Sequence, residues 1–159
     1  MRYSRAFTII ELMITIAVLA IVVSIAAPSF TAMLRENRLA ALSHELQGAL
    51  QLARSEAVKR RENITVCRSN AGQTACANGT DWTVGWLIMR PNGDVLKIWD
   101  PIQGIEINGP SAGISFRSNG MAVTSQTWSV TQSSCTGNQK RTITVNATGS
   151  SALSKGACS

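Results

Sequence analysis

Few residues in this chain of 159 could do chemistry, and their spacing limits what that chemistry is. Glu11 is a carboxylate set inside "AFTIIELMITIAVLAIVVSIAAPSF", residues 6–30, a stretch that is otherwise almost wholly apolar. Cys67, Cys76, Cys135 and Cys158 all follow it, and none shows the CxxC spacing of a zinc or thioredoxin-like redox site. In an oxidising compartment two disulfides are the simplest use of four cysteines. Three pairings are possible; the Asn- and Gly-rich turns near Cys67 and Cys76 favour joining those two, leaving Cys135 and Cys158 to tie down the C-terminus. Each bond would contribute about 2–4 kcal/mol, a large share of a small domain's stability. A single histidine, His44, and the absence of HExxH, GxSxG and phosphate-cradling motifs argue against an enzyme. No cofactor, metal or small-molecule substrate is expected.

The apolar run from Phe7 to Ala27 is 21 residues long, or about 31 Å as a helix, close to the thickness of a bilayer's hydrocarbon core. It is too long for the apolar part of a secretory signal and reads as a membrane span. Arg2 and Arg5 precede it, which places the N-terminus on the cytoplasmic side and the cysteines outside. A carboxylate within such a span is costly and tends to mark function and to have a partner. No Lys or Arg lies between residues 6 and 34, so that partner must come from water, lipid, another chain or a newly made N-terminus.

These residues carry a resemblance. "RAFTIIELMITIAVLAIVVSIAAPSF" resembles the start of type IV prepilins and pseudopilins: a short basic leader, a cut before Phe, "FTIIEL", and a long apolar helix with a proline near its far end. The resemblance implies cleavage between Ala6 and Phe7 by a membrane-embedded prepilin peptidase, N-methylation of Phe7, and pairing of Glu11 with a neighbouring subunit's N-terminal ammonium during assembly. In this family the residue before the cut is usually Gly; Ala6 implies slower or less complete processing. Pro28 either ends the membrane helix or, as in many pilins, bends a helix that continues.

Residues 29–61 support continuation. Leu39, Leu42, Leu46, Leu50, Ala53 and Ala57 recur at three- and four-residue steps, with Arg38, His44, Glu45, Gln51 and Ser55 off the stripe. His44 has no metal-ligand pattern around it. Lys59, Arg60 and Arg61 suit the negative end of the helix dipole. Beyond Asn63, "ITVC", "WTVGWLIMR", "VLKIW", "GIEI", "GISF", "TWSVT" and "RTITV" predict seven or so mostly antiparallel strands, with Asn92-Gly93 suited to a two-residue hairpin turn. Trp82, Trp86, Trp99 and Trp128 are expected in the core and strand pairs. The fold class is therefore α+β: a leader at 1–6, a membrane and assembly half of the helix at 7–30, an amphipathic half at 31–62, and a periplasmic β-rich head at 63–159.

The head, through "ARSEAVKRRENITVC", "WTVGWLI", "GISFRSNG" and "RTITVNATG", is similar to the GspH and FimT/FimU group of minor pseudopilins and minor pilins. The resemblance implies a structural subunit that starts in the bacterial inner membrane with its head in the periplasm. It then joins other minor pilins and the major pilin at the tip of a type IV pilus and helps prime assembly. A minor pseudopilin of a type II secretion system is the alternative, and a DNA-uptake pilin the second. DNA is disfavoured as a partner: where FimT relatives carry a Gly-Arg-x-Arg stretch, this chain reads "TGSSALSKGACS", with Lys155 the only cation. Fifteen Lys and Arg against nine Asp and Glu give +6, a moderate excess.

Overall fold

The computed structural model describes residues 7–135 and 137–158. A single helix, α1, runs Ile9–Arg60, and eight strands follow: β1 Ile64–Arg68, β2 Trp86–Met89, β3 Val95–Trp99, β4 Glu106–Asn108, β5 Ile114–Phe116, β6 Gln126–Thr131, β7 Lys140–Val145 and β8 Ser151–Gly156. The chain divides into two compact units, one ending at Asn37 and the other running from Arg38 onward. The last part of α1 thus belongs with the head.

Within the first unit nearly every side chain is exposed, from Phe7 at 82% to Leu34 at 52%. By length and composition this part of α1 can cross a membrane. The helix runs on through position 28. Proline has no N–H, so the Ser24 carbonyl has no helical donor there.

In the second unit the stripe read from the sequence is the stripe that is buried: Leu39, Leu46, Leu50, Ala53 and Ala57 are fully covered, and Leu42 is half-covered against them. Arg61 ends α1 in the left-handed region (φ 57°), and the Glu62 N–H returns to the Ala57 carbonyl at 3.3 Å, the 6→1 bond of a Schellman cap.

The strands form two antiparallel four-stranded sheets, in the orders β3-β2-β1-β5 and β4-β6-β7-β8. Each sheet turns alternate residues inward. Ile64, Val66, Trp86 and Ile88 from the first, and Trp128, Val130, Ile143 and Val145 from the second, join the α1 residues in one buried cluster. Outward residues of the second sheet, such as Ser129, Thr142 and Thr144, are polar, as expected of an antiparallel sheet with one solvated face.

Two expectations need correction. The β2–β3 connection is a three-residue loop rather than a two-residue one. Gly93 N–H bonds the Arg90 carbonyl (3.1 Å), Arg90 N–H bonds the Asp94 carbonyl (2.9 Å), and Gly93 has φ 91°. This is a type I turn closed by a glycine bulge, which uses Pro91 at its favoured position. Within "WTVGWLIMR" only Trp86–Met89 is strand. Trp82 instead packs edge-on against Trp128 (ring centroids 5.5 Å, interplanar angle 85°) and donates its indole N–H to the Pro110 carbonyl at 3.2 Å. Trp82, Trp86 and Trp128 are fully buried, whereas Trp99 is half-exposed and stacked on Trp86.

Gly109 is held by the Trp82–Trp128 pair. A Cβ there would lie 2.4 Å from Trp128 Cδ1 and 2.8 Å from Trp82 Nε1. Gly109→Ala should therefore destabilise the head by about 1–3 kcal/mol, read as a lower midpoint in denaturant unfolding followed by tryptophan fluorescence. Asp81 accepts bonds from the hydroxyl and the amide of Thr83, which hold its carboxyl below the ordinary aspartate range. A carboxyl lowered in the folded state adds stability above its unfolded value and loses it as pH falls through the lowered one. Asp81→Asn should lower the melting temperature at pH 7, with the gap to the unmodified protein closing on acidification.

Candidate functional site

The candidate site is the start of α1. The Glu11 N–H donates to Thr8 Oγ1 at 3.2 Å, and the Leu12 N–H donates to the Thr8 carbonyl at 3.2 Å. Thr8 is thus the N-cap and Glu11 the third helical residue, the T-x-x-E spacing of a capping box. A carboxylate at that position also meets the positive end of the helix dipole. Phe7 precedes the cap and is open to its surroundings; Ala6 lies outside the described residues. Farther along, the Thr15 and Ser24 hydroxyls donate to the Leu12 and Ile21 carbonyls at 2.8 and 2.7 Å. These hydroxyls therefore find partners within the helix, as an apolar solvent requires. Between Phe7 and Leu34, Glu11 is the only charged residue.

Thr8 was not singled out in the sequence, although a Thr three residues before a Glu at the head of an apolar run is a recognisable helix start. Arg54 was also passed over. It donates to the Gly120 carbonyl through Nε (2.9 Å) and to the Thr148 carbonyl through Nη2 (3.2 Å), holding two loops to α1.

Among the described residues, no group of three His, Cys, Asp or Glu side chains is placed to hold a metal ion. His44 is exposed on α1. Lys59 and Arg60 both pair with Glu56, whose carboxyl is held below its ordinary range chiefly by the Arg60 hydrogen bond. They serve the helix end rather than forming a free basic patch. Lys140 and Arg141 are consecutive on β7 and so turn to opposite faces. Cys67 is bonded to Cys76 and Cys135 to Cys158. The first pair closes the loop after β1, and the second joins the β6–β7 loop to the residues after β8.

A capped apolar stem with one carboxylate, carrying a disulfide-closed head of two antiparallel sheets, defines a pilin-like protein. The prokaryotic N-terminal methylation motif matches residues 1–27, and the sequence pattern of the type II transport protein GspH matches residues 42–149. The chain belongs to the GspH family. Its structure is similar to the type IV minor pilin FimU of Pseudomonas aeruginosa strain PAO1, at 25% identity and a TM-score of 0.60, over 76% of this chain and 90% of that one. A second crystal form of FimU gives 26% identity and a TM-score of 0.56 over 72% and 90%. The minor pseudopilin EpsH of the Vibrio cholerae type 2 secretion system shares the fold at 14% identity, with a TM-score of 0.50 over 72% and 94%. No curated protein matches by sequence comparison.

Removing the cap oxygen with Thr8→Ala should weaken the first turn by about 1 kcal/mol. In detergent micelles, hydrogen exchange of the Glu11 amide should speed up while that of the Leu46 amide stays unchanged.

Proposed function

We propose that this protein is a minor type IV pilin, a structural subunit that helps prime pilus assembly and resides in a complex at the filament tip. The observation that carries the reading is the exposed apolar stem, whose single carboxylate sits at a capped helix start, borne on a head similar to that of FimU. Prepilin peptidase cuts between Ala6 and Phe7, and Phe7 becomes the methylated N-terminus. The stem waits in the inner membrane with the head in the periplasm. On assembly it exchanges lipid for the stems of other minor pilins and the major pilin. Glu11 pairs with a neighbour's α-ammonium, and in so dry a setting opposite charges attract far more strongly than in water, so the pair fixes the register between subunits. Pro28 lets the helix bend between its membrane and head portions.

The pseudopilin reading shares this architecture, and the family's own description as a type II transport protein favours it as the second reading. DNA uptake is a weaker third. The stretch after Gly149 forms β8 and carries Lys155 but no arginine.

Deleting the gene should remove surface pili and leave secretion intact; the reverse result would assign the chain to a secretion filament. Glu11→Ala should leave the head folded in the membrane fraction and cut its recovery from sheared filaments by roughly tenfold or more, as expected when a buried pair loses one partner. Unchanged recovery would remove the role of Glu11.

A further inference from the structure

The buried core of the head is left unfinished along one flank. Leu52, Leu96, Trp99 and Ile102 pack against it only partly covered, and all four line two adjoining grooves, of about 400 and 210 Å3, that share Lys97. One wall is α1 from Glu45 to Arg60, about 22 Å at helical rise, and the other is β3. Within the first sheet β3 is an outer strand, and among the described residues its backbone is hydrogen-bonded to β2 alone.

Outer strands are normally blunted by brevity, by polar side chains or by a lysine across the open edge. β4 and β5 have three residues each, and β8 reads Ser-Ala-Leu-Ser-Lys-Gly. β3 has five residues and an exposed Ile98, and the Nζ of its lysine, which lines both grooves, is held 4.7 Å over the Trp99 ring. Trp86, in the groove wall, keeps a buried indole N–H for which the described residues supply no acceptor.

Two further features indicate what fits. Gly48 neighbours Glu45 and Leu52 on the helix surface, three and four residues away. It lies in the middle of α1, where glycine is unfavourable, yet a Cβ there would meet nothing in the chain and its φ is ordinary. No internal contact calls for glycine, so its use points to close approach from outside. At the same end, Glu45 and Asp100 border the larger groove, whose one lining cation, Lys97, lies over Trp99; Arg60, lining the smaller groove, is paired with Glu56.

We infer that this flank accepts a fifth strand for the first sheet. The occupant is an extended segment of another filament subunit, about seven residues long at strand rise, with alternate apolar side chains and a lysine or arginine at the Glu45–Asp100 end. Backbone bonding to β3 gives affinity, the apolar residues complete the core, and the acidic end selects partner and direction. This rests on the filament reading above and names the kind of contact a partner makes.

The test uses the full chain in the bacterium that assembles it, with the photoreactive residue p-benzoylphenylalanine in place of Ile98 and, as a control on the solvated sheet, in place of Thr144. After irradiation, filaments are sheared off, digested and analysed by mass spectrometry. The expected product joins position 98 to one segment of another subunit, extended and bearing a lysine or arginine. Combining Glu45→Lys with Asp100→Lys should lower its yield by roughly tenfold, the equivalent of one lost charge-assisted contact. Gly48→Leu should lower it similarly while the melting temperature holds or rises. A yield at 98 no higher than at 144, a product with lipid or with a stem helix, or insensitivity to the charge reversal overturns the inference. If the chain is present in filaments without the cross-link, only the docking inference fails; if it is absent from filaments, the filament reading fails with it.

Discussion

In hydrocarbon every backbone N–H and C=O must find its partner within the protein, and the apolar part of α1, long enough to cross a membrane, is the kind of element that meets this constraint. A helix satisfies all of its groups except those at its ends, so the burden falls on the first turn. Thr8 and Glu11 stand at that turn, and Thr15 and Ser24 bond back to carbonyls one turn earlier. The charge that looks misplaced in a linear reading of the stem therefore has a local reason to be where it is, before any partner is considered. A carboxylate one turn farther in would lie beyond the reach of that dipole.

The same helix then changes surroundings while remaining one continuous element. Its early apolar residues are open on all sides, while from Leu39 onward most of the large apolar residues keep to one stripe, Val58 excepted, and the other faces are largely polar. An all-round apolar surface calls for a solvent or partner that is apolar all round, whereas a striped surface needs cover on one side only. The two sheets supply that cover with alternating strands, and the tryptophan pair Trp82–Trp128 brings the loop before β2 onto β6. Holding the head to the helix then takes few polar ties: Arg38 to the Gln103 carbonyl, Gln47 and Gln51 to Ser151, and Arg54 to two loops.

What could be read in advance follows from which physical signals are local. The stem, the stripe and most of the strands rich in Val, Ile, Trp and Thr announce themselves by period and composition; Trp82–Gly85, expected in a strand, is loop. β8 does not announce itself. Its residues have low strand propensity, and its conformation comes from pairing with β7 from Lys140–Gly156 to Val145–Ser151, a contact no local reading supplies. The hairpin after β2 was misjudged for a related reason. Asn92-Gly93 is compatible with several turns, and Pro91 together with the flanking register selected the three-residue form. At the helix start the Thr8–Glu11 spacing is itself a local signal, legible in the sequence beside the charge of Glu11.

The two sheets end on edges of opposite character, and this contrast has a physical cause. β8 is a weak strand that is heavily restrained: Cys158 is bonded to Cys135, its N–H reaches the Gly137 carbonyl at 2.9 Å, and Gln47 and Gln51 hold Ser151 from α1. With serine, alanine and lysine along it, β8 offers little apolar surface to another strand, so once tied down it closes its sheet. β3 needs no such ties, because Val95, Leu96, Ile98 and Trp99 favour the extended form and Trp99 stacks on Trp86. The residues that make β3 stable without covalent help are also those that leave an apolar, hydrogen-bond-ready ladder at the border of the sheet. A head built this way is closed where its sequence is weak and open where it is strong, so the open border is a consequence of how the strands are stabilised.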